Sequence, residues 1–192
     1  MLSRGAASAF AIAVGAAALA GVSSAEVVER IPAVVDGRPV FQSDVRLMEE
    51  VRGLSPEKAL EAVIDERLMY GEASRAPQSA VAPADEERAL ARLHEERPEL
   101  REGVAGATLR RLVRRQLAIL KYVEFRFRPQ VRVSPEELEK AYVTEHGGKE
   151  DAPPFAAVAP VLEERLARQA LDERLEVWVR ELRAGAEIRY NR

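Results

Sequence analysis

Ala33-Val34-Val35-Asp36-Gly37-Arg38-Pro39-Val40-Phe41-Gln42-Ser43-Asp44-Val45 decides how the rest of the chain is read. A short apolar run leads into Asp36-Gly37, a dipeptide suited to the left-handed backbone of a tight turn. Arg38-Pro39-Val40 then reads as a second extended segment. Ser43 stands as the N-cap of a brief helix that reaches about Arg52, with Val45, Leu47 and Met48 inward. Gly53 ends it. At the far end of the chain, Glu187-Ile188-Arg189-Tyr190 reads as one short strand after a long helix. A lone strand leaves backbone groups unsatisfied, so the simplest arrangement pairs the two terminal strands with each other. The expected fold is mainly α, with about six helices and with short N- and C-terminal strands pairing.

The interior supplies the helices. Ser55-Pro56-Glu57 combines an N-cap, a proline at the first helical position and an acid in the first turn. Leu60, Val63, Ile64, Leu68 and Met69 recur at helical spacing and predict a helix to about Arg75. Ala76 to Pro83 is read as a loop, and Asp85 to Arg97 as a polar helix with Leu90 and Leu93 inward. Gly103 to Gly106 breaks the chain. From Thr108 to about Phe127, Leu109, Leu112, Val113, Gln116, Leu120 and Val123 share one face, and Arg110, Arg111, Arg114, Arg115 and Lys121 take much of the rest. Val131 to Val133 is extended, and Ser134-Pro135-Glu136-Glu137 caps a helix to about Glu145. His146 to Pro154 is a polar connector. A last helix runs from Pro160 to Arg183 and is closed by Gly185.

Composition narrows the chemistry. The chain has 192 residues and is 47% hydrophobic, enough for a real core. With 29 basic and 32 acidic side chains there is no basic excess to bind a phosphate backbone, so nucleic acid is excluded as a partner. The local basic run from Arg110 to Arg115, with Lys121, Arg126 and Arg128, reads as a face paired with Glu and Asp; an anionic partner is the alternative. Cysteine is absent, which excludes disulfides, thiol chemistry and Cys-based metal sites. His94 and His146 do not stand at metal-ligand spacing, and the sequence holds no HExxH, GxSxG or P-loop. Ser43, Ser55 and Ser134 are read as caps. No catalytic, cofactor-binding or metal-binding residue is assigned, and no cofactor is expected.

Residues 1–25 have the layout of a secretory signal peptide: Arg4, an uncharged apolar run from Ala6 to Val22, and Ser23-Ser24-Ala25 before Glu26. The run is short for a membrane span. Residues 26–192 are then one exported helical domain, with no stable membrane insertion after cleavage. A retained anchor is the alternative.

The large or adaptable apolar side chains Met48, Met69, Tyr122, Phe125, Phe127, Tyr142 and Trp178 are core candidates by default. The alternative is a client-binding surface, since flexible and aromatic side chains can hold varied apolar segments. The segment Val34 to Val45 resembles the opening of the N-terminal domain of SurA-type periplasmic chaperones. Ala62-Val63-Ile64-Asp65-Glu66-Arg67-Leu68 resembles its second-helix signature. Leu109 to Leu117, Val131 to Leu138, and the final helix with Ile188-Arg189-Tyr190 are similar to its later parts. The resemblance implies a periplasmic helical core, closed by the terminal strands, that binds unfolded outer-membrane or secreted proteins. In that family, parvulin-type prolyl isomerase modules commonly sit between the Ser-Pro-Glu-Glu helix and the last helix. Here that interval is only residues 146–154. The expectation is therefore an ATP-independent holdase for unfolded envelope or outer-membrane proteins, and not an enzyme. The alternatives are a peptidyl-prolyl cis-trans isomerase, as the family label suggests, or a scaffold subunit that binds one folded envelope partner. The sequence assigns no oligomeric state.

Overall fold

In the computed structural model, which describes residues 29–100, 106–147, 149 and 151–191, strands β1 (Ala33–Val35) and β2 (Arg38–Val40) form an antiparallel hairpin. Asp36 and Gly37 between them have φ of 48° and 75°. Two consecutive positive φ values give a turn whose twist matches the strands, and glycine makes the second one easy. Strand β3 (Ile188–Tyr190) joins the other edge of β1, giving the order β2-β1-β3. Val35 lies opposite Ile188, Val34 opposite Arg189 and Ala33 opposite Tyr190. The Asp36 amide donates to the Glu187 carbonyl at 2.9 Å, and the Glu187 amide donates to Asp36 Oδ1 at 2.9 Å. The two ends of the domain are thus tied together by backbone pairing. The segment 1–25 read as a signal peptide, and the break at Gly103–Gly106 as far as residue 105, lie outside the described residues.

Six α-helices occur among the described residues, so the fold is mainly α with one small antiparallel sheet. Helix α1 (Gln42–Arg52) buries Val45, Leu47 and Met48 and stops at Gly53, whose φ is 63°. Ser43 is not its cap. Phe41 takes that position with extended backbone, and the Gln42 amide donates to the Arg30 carbonyl at 2.9 Å. Ser43 falls inside the first turn, where its hydroxyl and amide both donate to the Glu29 carboxylate. Helix α2 (Pro56–Ala73) starts as expected, with Ser55 accepting from the Lys58 amide, and ends two residues short of Arg75. The expected loop contains a 3-10 turn at Pro77–Ser79. Helix α3 (Pro83–Glu96) begins at the proline rather than at Asp85.

Helix α4 (Gly106–Arg126) carries the central packing. Its buried stripe includes Leu109, Leu112, Arg115, Ile119 and Tyr122, at three- and four-residue spacing. Gln116 and Leu120, expected inward, are exposed, with Leu120 at 55%. Arg115 takes the inward place because it has partners there. Its Nε donates to Glu66 Oε1 at 2.6 Å, and its Nη2 lies 3.6 Å from Asp44 Oδ1. Arg67 donates to Asp44 Oδ2 at 2.6 Å. Four charged groups from α1, α2 and α4 therefore meet, with Asp44, Glu66 and Arg115 buried and Arg67 partly exposed. Burial holds the Glu66 carboxyl above its ordinary range, against the pull of Arg115 and Arg67.

Most of the remaining basic run lies outward and is paired with acids, but among the described residues Arg111 donates to Thr108 Oγ1 instead and Arg126 makes no ion pair. Arg110 reaches Glu86 and Glu87, Arg114 reaches Glu86, Lys121 reaches Asp85, and Arg128 reaches Glu124. Helix α5 (Pro135–His146) opens with a reciprocal capping box between Ser134 and Glu137. Helix α6 (Phe155–Gly185) is longer than the sequence suggests. It starts five residues before Pro160, which sits in its second turn. A proline there deprives the Ala156 carbonyl of its partner. Ala156 is exposed, so that oxygen is not buried without a partner.

Candidate functional site

The C-terminal turns of α4 bring Tyr122 into the core and leave Phe127 one residue past the helix end. Trp178 comes from the opposite side, on the buried stripe of α6. The three rings meet. Tyr122 stacks on Trp178 at 5.4 Å with a 28° interplanar angle. Phe127 tilts against Trp178 at 5.1 Å, and Tyr122 meets Phe127 edge-on at 6.2 Å. Offset and edge-on arrangements of this kind are the ones that ring quadrupoles favour. Met69 of α2 packs behind them with Leu171, Leu175 and Leu182 of α6.

Above this floor lies an open groove of about 810 Å³ between the end of α4, the start of α5 and the middle of α6. Val177, 44% exposed, adds an apolar contact from its wall. Arg126, Arg132 and Arg174 face it from one sign of charge, and Glu72, Glu137, Glu173 and Glu181 from the other. The Arg126 guanidinium lies 5.9 Å from the Phe127 ring. Arg174 donates to Gln130 Oε1 at 3.1 Å. The backbone amide and hydroxyl of Ser134 donate to Glu137 and hold its carboxyl below the ordinary range, so it is ionised at neutral pH. An apolar floor with mixed charge at the rim suits a polypeptide that carries both kinds of side chain.

The seven residues expected from the sequence therefore divide. Tyr122, Phe127 and Trp178 line the groove, and Met69 supports its floor. Tyr142 lies elsewhere, donating to the Pro153 carbonyl at 2.7 Å and meeting Phe155 edge-on at 5.3 Å. With Val133, Leu138 and Val143 it lines a separate hollow of about 700 Å³. Phe125 points to solvent, 54% exposed, and lines neither. Met48 follows the default expectation of core packing and not the client-surface alternative: it is 1% exposed in the core between α1 and its neighbours. Tyr122 and Trp178 are themselves buried, at 7% and 8%, so they present edges to the groove rather than whole faces.

The sequence reading did not single out Val177, Arg132 or Arg174. Arg174, Val177 and Trp178 recur at helical spacing, which places them on one side of α6. Arg132 gave no such signal, because it sits in the extended link before α5. Among the described residues no cluster of three or more His, Asp or Glu side chains could hold a metal ion, and no helix is long and apolar enough to cross a membrane. No protein-family model matches the chain, and no curated protein shows sequence similarity to it.

Proposed function

We propose that this chain is an exported, ATP-independent holdase of SurA-type architecture without a prolyl isomerase module, and that the groove over Tyr122, Phe127 and Trp178 is where it holds unfolded clients. The observation that carries the reading is this groove, open to solvent and floored by three touching rings. The fold around it supports the reading: the terminal strands close the core as the chaperone resemblance implies. The link from α5 to α6 spans only residues 147–154, far less chain than an isomerase domain needs. The leader-like residues 1–25 fit delivery to the periplasm.

In this reading the groove works by modest affinity. An unfolded segment lays apolar side chains on the ring edges, Val177 and Leu182, and its charged groups exchange between Arg and Glu at the rim. Burial of a few hundred Å² of apolar surface at ~25 cal/mol/Å² is largely offset by the ordering of the client, which leaves release easy. No nucleotide is required.

The test is light scattering of a urea-denatured outer-membrane protein diluted into buffer with and without the chain. Dose-dependent suppression near stoichiometric ratios, absent with an inert protein of similar charge, is the expected result. A folded, helical sample that suppresses nothing contradicts it. One observation favours the second reading, a scaffold for a single folded partner: the rings pin one another, and a preformed surface suits one fixed shape. A stoichiometric complex recovered from envelope extracts, without suppression of aggregation, distinguishes it.

A further inference from the structure

Ala152 to Leu162 is an uncharged run of eleven residues, Ala-Pro-Pro-Phe-Ala-Ala-Val-Ala-Pro-Val-Leu, in a chain that is 32% charged. It forms the approach to α6 and its first two turns. One side of it is occupied: Leu162 is buried and Phe155 meets Tyr142. The other side is not. Ala156, Ala157, Pro160 and Val161 are exposed, Val161 at 70%. Acids flank the run, Asp151 before it and Glu163 after it, and neither makes an ion pair among the described residues. In a chain so rich in Arg, two such acids beside an apolar face describe a segment shaped for a basic-rimmed groove.

The same chain carries that groove. Helices α3 and α4 lie side by side and leave an open channel of about 680 Å³. Leu93, Leu112, Leu117 and the 55% exposed Leu120 form its floor. Its lining residues recur every three or four positions on both walls, which is the geometry that receives a third helix. The rim holds three basic side chains, Arg88, Arg92 and Lys121, against the acids Asp85 and Glu96. Arg88 and Lys121 share the one carboxylate of Asp85. Arg92 has no carboxylate partner among the described residues. The rim therefore keeps a positive surplus.

We propose that the start of α6 from one copy of this chain seats in the α3–α4 groove of a second copy. Donor and acceptor are both apolar, both helical in dimension and opposite in surplus charge. A single short helical segment is a small contact against the ~1,200 Å² of a stable interface. Reciprocal exchange doubles it, so a closed two-fold dimer is the expected form rather than an open string. The proposal does not rest on the chaperone reading.

Sedimentation of the purified chain, its N-terminus fixed by mass spectrometry, tests it across the micromolar range. A concentration-dependent dimer is expected. Val161→Glu and Leu120→Glu each weaken it by roughly tenfold or more, and circular dichroism verifies that both remain folded. A monomer throughout, or a dimer that neither substitution weakens, overturns the proposal. The absence of cysteine allows a second measurement. Leu120→Cys and Val161→Cys chains are mixed and treated with a short bismaleimide. Mixed cross-links are expected to exceed either homotypic product; homotypic excess overturns the pairing. A groove that stays empty of a second copy but binds an added acid-flanked apolar helical peptide belongs to another partner, and also overturns it.

Discussion

Replacing Arg115 by Met strands the buried Glu66 carboxylate and leaves Asp44 with Arg67 alone. Arg115 is 7% exposed, and it is the only basic group in hydrogen-bond contact with Glu66, which is 1% exposed, among the described residues. Met keeps the length of the stem and removes the charge. Glu66 already has one oxygen, Oε2, without a partner, and Asp44 has Oδ1 in the same state. Removing one member of a buried pair costs ~3–5 kcal/mol, because the other charge is left uncompensated. Arg115→Met is therefore expected to lose that much stability at neutral pH, read by urea unfolding and far-UV circular dichroism. The pH dependence has a definite sign. Burial raises the folded-state pKa of Glu66 above its ordinary 4.5, and Arg115 is the main group opposing that rise. The folded state then keeps a proton that the unfolded chain has released, so this group's contribution to stability falls as pH rises through that window. Without Arg115 the window extends upward. The deficit of Arg115→Met should be largest above that window and shrink as the pH falls through it. Glu66→Met with Arg115→Met removes the pair together and should recover to within ~2 kcal/mol of the parent, with Asp44 still bonded to Arg67. A single-variant loss below ~1 kcal/mol, a deficit that grows on acidification, or a double variant as weak as the single would refute the buried-pair account.

Other perturbations separate core from site. Met48→Ala should cost ~2–5 kcal/mol by leaving a cavity, seen as a lower urea midpoint, with client affinity unchanged wherever the protein is folded. Phe125→Ser should move stability by less than ~0.5 kcal/mol, since the ring is exposed. Val35→Cys with Ile188→Cys places two thiols opposite each other at a non-hydrogen-bonded pair of β1 and β3, where the Cβ atoms come closest. Oxidation should close a bond readily and raise the urea midpoint, and free thiols that persist under oxidant would contradict the strand pairing. Ser134→Ala should cost ~1 kcal/mol of helix stability. The Ser134–Glu137 interaction is present above the ordinary Glu range and is lost as pH falls through the lowered Glu137 value, so the variant and parent should converge in acid.

Helix starts with side-chain grammar were legible: Ser55-Pro56 and Ser134-Pro135 each cap as read, and Gly53 stops α1 in the left-handed region. The Asp36-Gly37 turn and the pairing of the terminal strands were legible too, because unsatisfied backbone groups leave few other arrangements. Ser43 misled because the strand before it holds the backbone so that Phe41 becomes the cap, and Glu29 captures the hydroxyl. Pro160 misled because proline is usual in a first turn but tolerated in a second one that faces water. Arg115 stands on the same helical stripe as Leu112, Ile119 and Tyr122, yet its charge read as exposed. Only the two carboxylates, from α1 and α2, make its burial possible, and tertiary partners leave no local trace. The groove had the same character. Its three rings were visible as aromatic residues, but their meeting depends on where α6 crosses the end of α4.

Trp178 is the chain's single tryptophan and lies in the groove floor, so its fluorescence reports occupancy directly. Titration with a tryptophan-free unfolded outer-membrane segment should produce a saturable change in emission, with reduced acrylamide quenching and a dissociation constant in the micromolar range. Val177→Glu should weaken it. Emission that stays constant while the same segment is kept from aggregating would mean that clients are held elsewhere and that the groove is not the site.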